Sequence, residues 1–439
     1  MFRNAGLLIL LLAVALPVQA DITVKVTKGL GDAQPIAIVP FEFEAGEGPR
    51  DGKARPPLDV ASVIASDLER SGRFKAFPRE DMLEKPSTAS DVQFQNWRVL
   101  GVDNVVVGKV RRTQGGYVIQ FQLLDVFRGK QLLGYSIPVS ERSLRRGAHE
   151  VSDLIYEELT GIRGAFSTRI AFVMAMKDGD TRRYQLVVAD ADGYNQSSIL
   201  RSTSPIMSPV WSPDGRYLAY VSFENDAAEV FVQELATGER EKVSSRPGIN
   251  GAPSFSPDGR KLALTLSSEP GNPDIWVMDL ETKKSRRITR NAAIDTEPTW
   301  MPDGKSLLFT SDRGGGPQIY RVEVGSDRAE RVTFEGAYNA RASVSPDGKS
   351  ITFVHQGRDG YNIAVMNLDT RAMQVLTDGG LDESPSFAPN GSMIIYATQV
   401  GRQGVLAATS TDGRVQQQLG VQEGDVREPA WSPYPPSRE

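Results

Sequence analysis

The chain has 439 residues, 40% hydrophobic and 24% charged, a composition typical of a folded protein of two or three domains and not of a disordered or multi-pass membrane protein. Its 50 basic residues against 55 acidic ones give a net charge of -5, which argues against nucleic acid as a partner. Zero cysteines and two histidines exclude disulfides, thiolate nucleophiles and cysteine-ligated zinc, and leave little for histidine-based triads. We therefore expect neither a metal nor a cofactor.

The first twenty residues have the order of a secretory signal. Arg3 supplies a positive charge, residues 7–16 form an apolar run, and Val18-Gln19-Ala20 places small residues at a cleavage site. The run is shorter than the ~20 residues that a membrane span requires, and no cysteine is present to carry a lipid. The sequence predicts cleavage after Ala20 and a mature chain without a membrane span.

The segment that follows the signal has the alternation of an extended strand. Its residues are Asp21, Ile22, Thr23, Val24, Lys25 and Val26. Such a segment suits addition to the sheet edge of a partner, with main-chain bonds giving affinity and alternate side chains giving specificity. Gly29 and Gly31 add backbone freedom, so we expect a mobile arm over residues 21–33. The alternative is an edge strand of its own domain.

Residues 21–162 are predicted to form a small α/β domain. Helical spacing of apolar residues and short apolar runs bounded by glycine turns indicate its elements. These are a strand over 36–39, a helix carrying Val60, Ile64 and Leu68, strands over 105–110, 117–126 and 131–137, and a closing helix from Leu144 to Leu159. Gly72 and Gly161 stand where the two helices should end.

The second half of the chain is built from repeats of the type Pro-x-aromatic-Ser-Pro-Asp-Gly. The later proline of each copy is Pro213, Pro257, Pro302, Pro346, Pro389 or Pro433, at steps of 44, 45, 44, 43 and 44 residues. Proline ends a strand because it has no N–H to donate, and Asp-Gly makes the turn to the next strand. This period suits a four-stranded propeller blade.

The residue two positions before each repeat proline is predicted to lie in the core. Five of the six copies carry an aromatic residue there, namely Trp211, Phe255, Trp300, Phe387 and Trp431, and the other carries Val344. The earliest second strand, over 170–173, lacks an inner strand before it, whereas Glu428–Pro433 is an inner strand with nothing after it. Each completes the other, which predicts a closed six-bladed β-propeller over residues 163–439.

Two isolated features have plain structural interpretations. Asp190-Ala-Asp-Gly193 resembles part of a calcium loop but lacks the remaining ligands, and is predicted to be a turn. Neither His149 nor His355 has a second histidine nearby in the sequence, so both are predicted to be structural or surface residues.

The whole chain resembles a known family. The signal, the α/β domain, the junction Leu159-Thr-Gly-Ile-Arg-Gly-Ala-Phe-Ser-Thr-Arg-Ile170 and the six repeats are similar to the TolB family of periplasmic Tol-Pal proteins. The repeat alone is weakly specific, because prolyl oligopeptidase-like enzymes have similar blades, whereas the order of domains and the junction are specific.

That resemblance implies a periplasmic, monomeric, non-enzymatic adaptor. It implies that the propeller binds the peptidoglycan-associated lipoprotein Pal and that the segment Asp21–Val26 binds the C-terminal domain of the inner-membrane protein TolA. Such an adaptor supports outer-membrane integrity and constriction during cell division. Other outer-membrane or peptidoglycan-associated partners are left open.

We expect the Pal site at the mouth of the propeller channel, where the loops that lead into the six inner strands converge. Its candidate residues are Met207, Ile249, Asn250, Ala252, Asp295, Thr296, Glu297, Asn339, Arg341, Asp382, Glu383 and Arg427. The carboxylates favour a partner that presents donors or cations, and Met207 and Ile249 offer apolar contact. A branched apolar residue at Ala252 or Thr296 is expected to weaken binding and leave the fold intact. The alternative is that these loops are only connectors.

Functions of two other classes are also considered. The adjacent carboxylates Asp382 and Glu383 leave open an enzyme that acts on cell-wall glycan, and a sugar-binding propeller without catalysis is a further alternative. A prolyl peptidase is disfavoured, because the sequence has no Gly-x-Ser-x-Gly elbow and no hydrolase domain.

Overall fold

The computed structural model describes residues 23–26, 33–46, 57–179, 181–267, 272–326, 328–420 and 424–435. The predicted signal Met1–Ala20, together with Asp21 and Ile22, lies outside the described residues.

The N-terminal part of the chain forms a mixed sheet with helices. After the first strand, β1 (Thr23–Val26), its elements are β2 (Gln34–Ile38), β3 (Glu42–Glu44), α1 (Val60–Arg70), β4 (Phe74–Ala76), α2 (Phe94–Val99), β5 (Asn104–Thr113), β6 (Gly116–Asp125), β7 (Lys130–Val139) and α3 (Leu144–Thr160). Short 3-10 turns lie at Arg79–Asp81, Ala89–Asp91 and Glu141–Ser143. The sheet order is β4-β2-β5-β6-β7, with β3 pairing β5.

Both predicted helices are present and pack on one face of this sheet. Asp59 caps α1 by accepting a bond from the Ser62 N–H, and α3 ends at Gly161, whose φ of 71° is in the left-handed region. The apolar faces of α1 and α3 share one core with β6 and β7. A second core on the other face surrounds Trp97 of α2, which is fully buried.

The rest of the chain forms six blades around a central channel. The first blade contains β8 (Arg169–Asp178), β9 (Thr181–Asp190) and β10 (Ser197–Ser202). The second is β11 (Ile206–Trp211), β12 (Tyr217–Ser222), β13 (Glu229–Glu234) and β14 (Arg240–Ser244), and the third is β15 (Asn250–Phe255), β16 (Lys261–Ser267), β17 (Pro273–Asp279) and β18 (Ser285–Arg287). The fourth is β19 (Asp295–Trp300), β20 (Ser306–Ser311), β21 (Gln318–Glu323) and β22 (Ala329–Arg331), and the fifth is β23 (Asn339–Val344), β24 (Ser350–Gln356), β25 (Tyr361–Asn367) and β26 (Met373–Val375). The sixth is β27 (Glu383–Phe387), β28 (Met393–Val400), β29 (Gln403–Ser410) and β30 (Val415–Gln418), and β31 (Asp425–Trp431) follows.

The ring closes as the repeats predict. Strand β31 pairs antiparallel with β8 and becomes the inner strand of the first blade. The repeat aromatics lie between blades: Trp211 Nε1 donates to the Ala430 carbonyl at 3.0 Å, and Trp300 Nε1 donates to the Ser254 carbonyl at 3.2 Å. Each of these tryptophans therefore links its own inner strand to that of a neighbouring blade, in addition to filling the core.

The N-terminal strand lies on the propeller. Strand β1 pairs antiparallel with β30, from Thr23 opposite Gln418 to Val26 opposite Val415, and extends the sixth blade to five strands. This position differs from the free arm expected from the sequence and from an edge strand of the N-terminal sheet. The physical reason is the outer edge of β30, whose backbone N–H and C=O groups would otherwise lack partners in the sheet.

Candidate functional site: the mouth of the propeller channel

Every inner strand carries a bulge at the same place. The ladder between the first and second strands of each blade shifts by one residue there, and a non-glycine residue adopts positive φ. We call these residues the bulge ring; they are Ser208 (51°), Ala252 (44°), Glu297 (54°), Arg341 (56°), Ser384 (57°) and Glu428 (52°). All of them except Glu428 line a cavity of about 160 Å³ on the axis, together with strand residues from all six blades. Six such backbones in one ring are costly, and clusters of this kind occur at functional sites.

The bulge ring carries three charged side chains, those of Glu297, Arg341 and Glu428. Arg341 Nη2 lies 2.7 Å from Glu428 Oε2, which also accepts the Ser208 backbone N–H at 2.6 Å. Thr310 Oγ1 donates to Glu297 Oε2 at 2.9 Å. Burial alone would raise the pKa of Glu428, but the Arg341 guanidinium and the Ser208 N–H hold it below its ordinary value. The ring thus holds one guanidinium against two carboxylates.

Four of the predicted mouth residues are buried inside their blades. They are Asn250, Asp295, Asn339 and Asp382, each at most 1% exposed. Asn250 Oδ1 accepts from Ser244 Oγ at 2.6 Å, Arg313 Nη2 donates to Asp295 Oδ2 at 2.7 Å, Asn339 Nδ2 donates to Gln318 Oε1 at 2.8 Å, and Asp382 accepts from Thr377 and Thr398. These bonds fix the loops at the mouth. The expectation that the Asp295 and Asp382 carboxylates face a partner is thereby corrected, because both are already paired within the chain.

Five large apolar side chains form an apolar rim at the mouth, beside exposed polar residues such as Glu383, and the sequence predicted only two of the five. Met207 and Ile249 are 42% and 47% exposed, and Ile294, Phe334 and Leu381 are 49%, 68% and 49% exposed. Ile294, Phe334 and Leu381 were not predicted from the sequence. Ile249, Ile294 and Leu381 each come directly before a buried Asn or Asp of the inner strand, and this repeated pair is the signal that could have found Ile294 and Leu381. Exposed apolar groups around a polar centre are typical of a protein-binding surface.

Of the remaining predicted residues, Ala252 belongs to the bulge ring, and Thr296 and Arg427 directly precede the ring residues Glu297 and Glu428. Thr296 is half-buried, with its hydroxyl 3.4 Å from Thr265 Oγ1, and the Arg427 guanidinium lies 2.8 Å from Asp425 Oδ2. Ala252 has φ 44°, where a β-branched residue is strained, so a valine there would disturb the fold as well as any partner. This corrects the expectation that enlarging Ala252 leaves the fold intact.

Asp382 and Glu383 do not form a carboxylate pair. Asp382 is held inside the sixth blade by two threonines, whereas Glu383 is exposed at the mouth. Adjacent residues of an extended chain point to opposite sides, which separates the two groups. The arrangement does not provide the facing acid and base that glycan hydrolysis requires.

The fold and this mouth define a class: a two-domain β-propeller protein with an apolar-rimmed, charged channel. Within the described part of the chain, no helix has both the length and the hydropathy needed to cross a membrane.

Comparison with known proteins identifies the family. Residues 22–132 match the model of the TolB amino-terminal domain, and residues 156–435 match that of the TolB beta propeller domain. The chain is 55% identical over 433 residues to the Tol-Pal system protein TolB of Thioalkalivibrio sulfidiphilus, covering 98% of each, and 56% identical over 418 residues to that of Alcanivorax borkumensis, covering 95% and 94%. The crystal structure of TolB from Acinetobacter baumannii superposes with a TM-score of 0.85 at 41% identity, covering 94% of this chain and 100% of that one. The chain belongs to the TolB family of Tol-Pal system proteins.

Proposed function

We propose that this protein is a non-enzymatic periplasmic adaptor of the Tol-Pal system, which holds Pal at the propeller mouth and the C-terminal domain of TolA at its N-terminal strand. In this role it supports outer-membrane integrity and constriction during division. The observation that carries the proposal is the combination of an apolar rim with a charged channel at one end of the propeller.

The chemistry of the mouth supports a protein partner over a small substrate. Five exposed apolar side chains surround the channel opening, and such a rim excludes water from central polar contacts when a partner binds. Behind it, Arg341 and Glu297 line the channel and offer charged groups whose positions are fixed by bonds within the protein, since Glu428 holds Arg341 and Thr310 holds Glu297. A partner that inserts a polar segment into the channel and covers the rim would use both features.

Thr296→Ile is expected to weaken Pal binding by about 1–3 kcal/mol, because the larger side chain lies beside the channel at a central interface position. Unlike Ala252, Thr296 is not among the residues with positive φ, so the substitution leaves the backbone unstrained. Calorimetric titration with lipid-free Pal measures the effect. Thr370→Ile is the matched control, since Thr370 is exposed in a turn at the opposite end of the fifth blade. Equal affinities for the two variants would place the Pal site elsewhere.

Removal of residues 21–26 from the mature chain is expected to abolish binding of the TolA C-terminal domain while Pal affinity stays the same. Within it, Thr23–Val26 forms a strand that pairs through its backbone with β30, and backbone pairing of this kind is also how an extended segment adds to a partner's sheet. Titration of the shortened and complete chains with each partner provides the measurement. A milder variant, Lys25→Pro, keeps the length and removes one backbone donor. If the shortened chain bound TolA as the complete chain does, the proposed arm site would be wrong.

A further inference from the structure

A cluster of buried charges joins the α/β domain to the propeller, at the end opposite the mouth. Its members are Asp67 and Arg70 of α1, Arg145 and His149 of α3, and Asp192 of the turn between β9 and β10. Asp67, His149 and Asp192 are each at most 2% exposed. The turn predicted at Asp190-Ala-Asp-Gly193 therefore supplies a contact between domains.

The two nitrogens of His149 face carboxylates from different domains. Nδ1 lies 2.7 Å from Asp67 Oδ2, and Nε2 lies 3.4 Å from Asp192 Oδ2. Asp67 also accepts from Ser152 Oγ at 2.7 Å and lies 3.0 Å from Arg70 Nη2. Nδ1 makes a hydrogen bond with Asp67, whereas Nε2 makes none within the described residues and faces Asp192 only as an ion-pair contact. A neutral imidazole would direct a lone pair at one of the two carboxylates, whereas an imidazolium places positive charge between them. This arrangement favours the protonated form.

The surrounding groups favour the same charge state. The titratable and charged groups in or beside the cluster are Asp67 and Arg70 of α1, Arg145 and Asp153 of α3, and Asp190 and Asp192 of the turn. Burial alone would lower the pKa of His149, but Asp67 and Asp192 raise it above its ordinary value. Burial would raise the pKa of Asp192, but His149, Arg70 and Arg145 bring it to about 2.

A metal ion does not fit this cluster. The three side chains that could supply ligands, Asp67, His149 and Asp192, already lie within 4.8 Å of one another. However, the guanidinium of Arg70 pairs with Asp67 and that of Arg145 pairs with Asp192, so two cations already occupy these carboxylates. The cluster is a chain of alternating charges that is complete when His149 carries a proton.

We propose that protonated His149 is a latch between the two domains, bridging Asp67 of the α/β domain and Asp192 of the propeller, and that the latch opens when His149 loses its proton. The proposal goes beyond the adaptor function, because it concerns the junction of the domains and does not depend on which partners bind. The linker between the domains makes a separate contact with the propeller, in which the Arg163 carbonyl accepts a hydrogen bond from Asn390 Nδ2 at 3.0 Å.

The pH range in which the latch is closed follows from the directions of the pKa shifts of His149 and Asp192. The pKa of His149 is raised, so its contribution is complete below 6.5, the ordinary value, and is lost as the pH rises through the higher folded-state value. The pKa of Asp192 is lowered, so its contribution is present above 3.8 and is lost as the pH falls toward about 2. The latch is therefore closed in mildly acidic solution and opens as the pH rises through the folded-state pKa of His149.

Histidine-selective NMR on the full mature chain tests the latch, because the sequence contains only two histidines. His149 is expected to remain protonated above pH 6.5, whereas burial lowers the pKa of His355, which then titrates below that value. His355→Asn assigns the signals. Asp192→Asn is expected to shift the His149 titration to lower pH and to leave that of His355 unchanged. Titration of His149 at or below 6.5, or no change in Asp192→Asn, would overturn the proposal.

A second measurement reports the junction itself. Trypsin cleavage after Arg163, in the linker between the domains, is expected to be faster at one fixed pH in Asp192→Asn than in the parent protein. Asp190→Asn is the matched control, because it removes the same charge from the same turn but Asp190 bonds to Asn195 and not to His149. Equal cleavage rates for the parent protein and both variants would show that the cluster does not hold the domains together.

Discussion

A chain that ends at Gly420 is expected to lose its cooperative unfolding transition. The truncation removes β31, the inner strand of the first blade, and leaves the inner edge of β8 without a partner. Val426 and Trp431 leave the core shared by the first and sixth blades, and Trp211 loses the Ala430 carbonyl that its indole N–H binds. The open ring then has two exposed strand edges, which favour aggregation over a defined native state.

Differential scanning calorimetry, with circular dichroism as a second probe, measures this effect. The control is a chain that ends at Pro435, which keeps all of β31 and the packing of Tyr434 on Arg163 at 3.8 Å. Both the control and the complete chain are expected to melt in one sharp transition. A chain ending at Gly420 that melts with the same midpoint and enthalpy would show that closure of the ring contributes nothing to stability.

Arg341→Met is expected to lower the free energy of unfolding by about 3 kcal/mol, at the lower end of the range for breaking a buried ion pair. The lower end applies because the Arg341 side chain keeps 30% of its exposure, so that water screens part of the charge. Its removal leaves Glu428, only 10% exposed, without its cation, while Glu297 stays in the same ring. The cost comes from the unpaired buried carboxylate and not from lost packing, since methionine fills most of the space.

The pH dependence of the free energy of unfolding distinguishes an unpaired buried carboxylate from lost packing as the cause. In the parent protein the pKa of Glu428 is lowered, so its contribution to stability is present above 4.5 and is lost as the pH falls through the folded-state value. In Arg341→Met that pKa should rise, so acidification should recover stability. Denaturant unfolding of Arg341→Met and of Arg341→Met with Glu428→Gln makes the comparison. If the double variant were no more stable than the single one at neutral pH, the ion-pair explanation would fail.

The propeller could be predicted from the sequence because its signals are local and repeated. The Pro-Asp-Gly turns recur once per blade, and the pairing of the chain ends follows from counting strands. Strands β3 and β4 and helix α2, three to six residues each, were not predicted, because such short segments show no period. The pairing partner of β1 could not be predicted either, because the alternation in Thr23–Val26 indicates a strand but not which sheet edge that strand joins.

The location of the candidate site was predictable, but the orientation of its side chains was not. Chain topology brings the inner-strand loops together, whichever residues they carry. Asp295 is paired with Arg313, which lies 18 residues further along the chain, so no local pattern indicates that its carboxylate is not free. The partners of His149 lie on another helix and in another domain, so no local pattern could indicate them.

In the bulge ring, the backbone conformation that shapes the channel does not depend on the charge of the side chains. The same backbone conformation recurs in all six blades although the residues are Ser, Ala, Glu, Arg, Ser and Glu, so the conformation is imposed by the strand and not by the side chain. Each blade therefore offers one position whose chemistry can change while its strands stay in place, provided that the new residue is not β-branched. During evolution, substitutions at these positions could change which partners the channel binds, one blade at a time, without changing the fold.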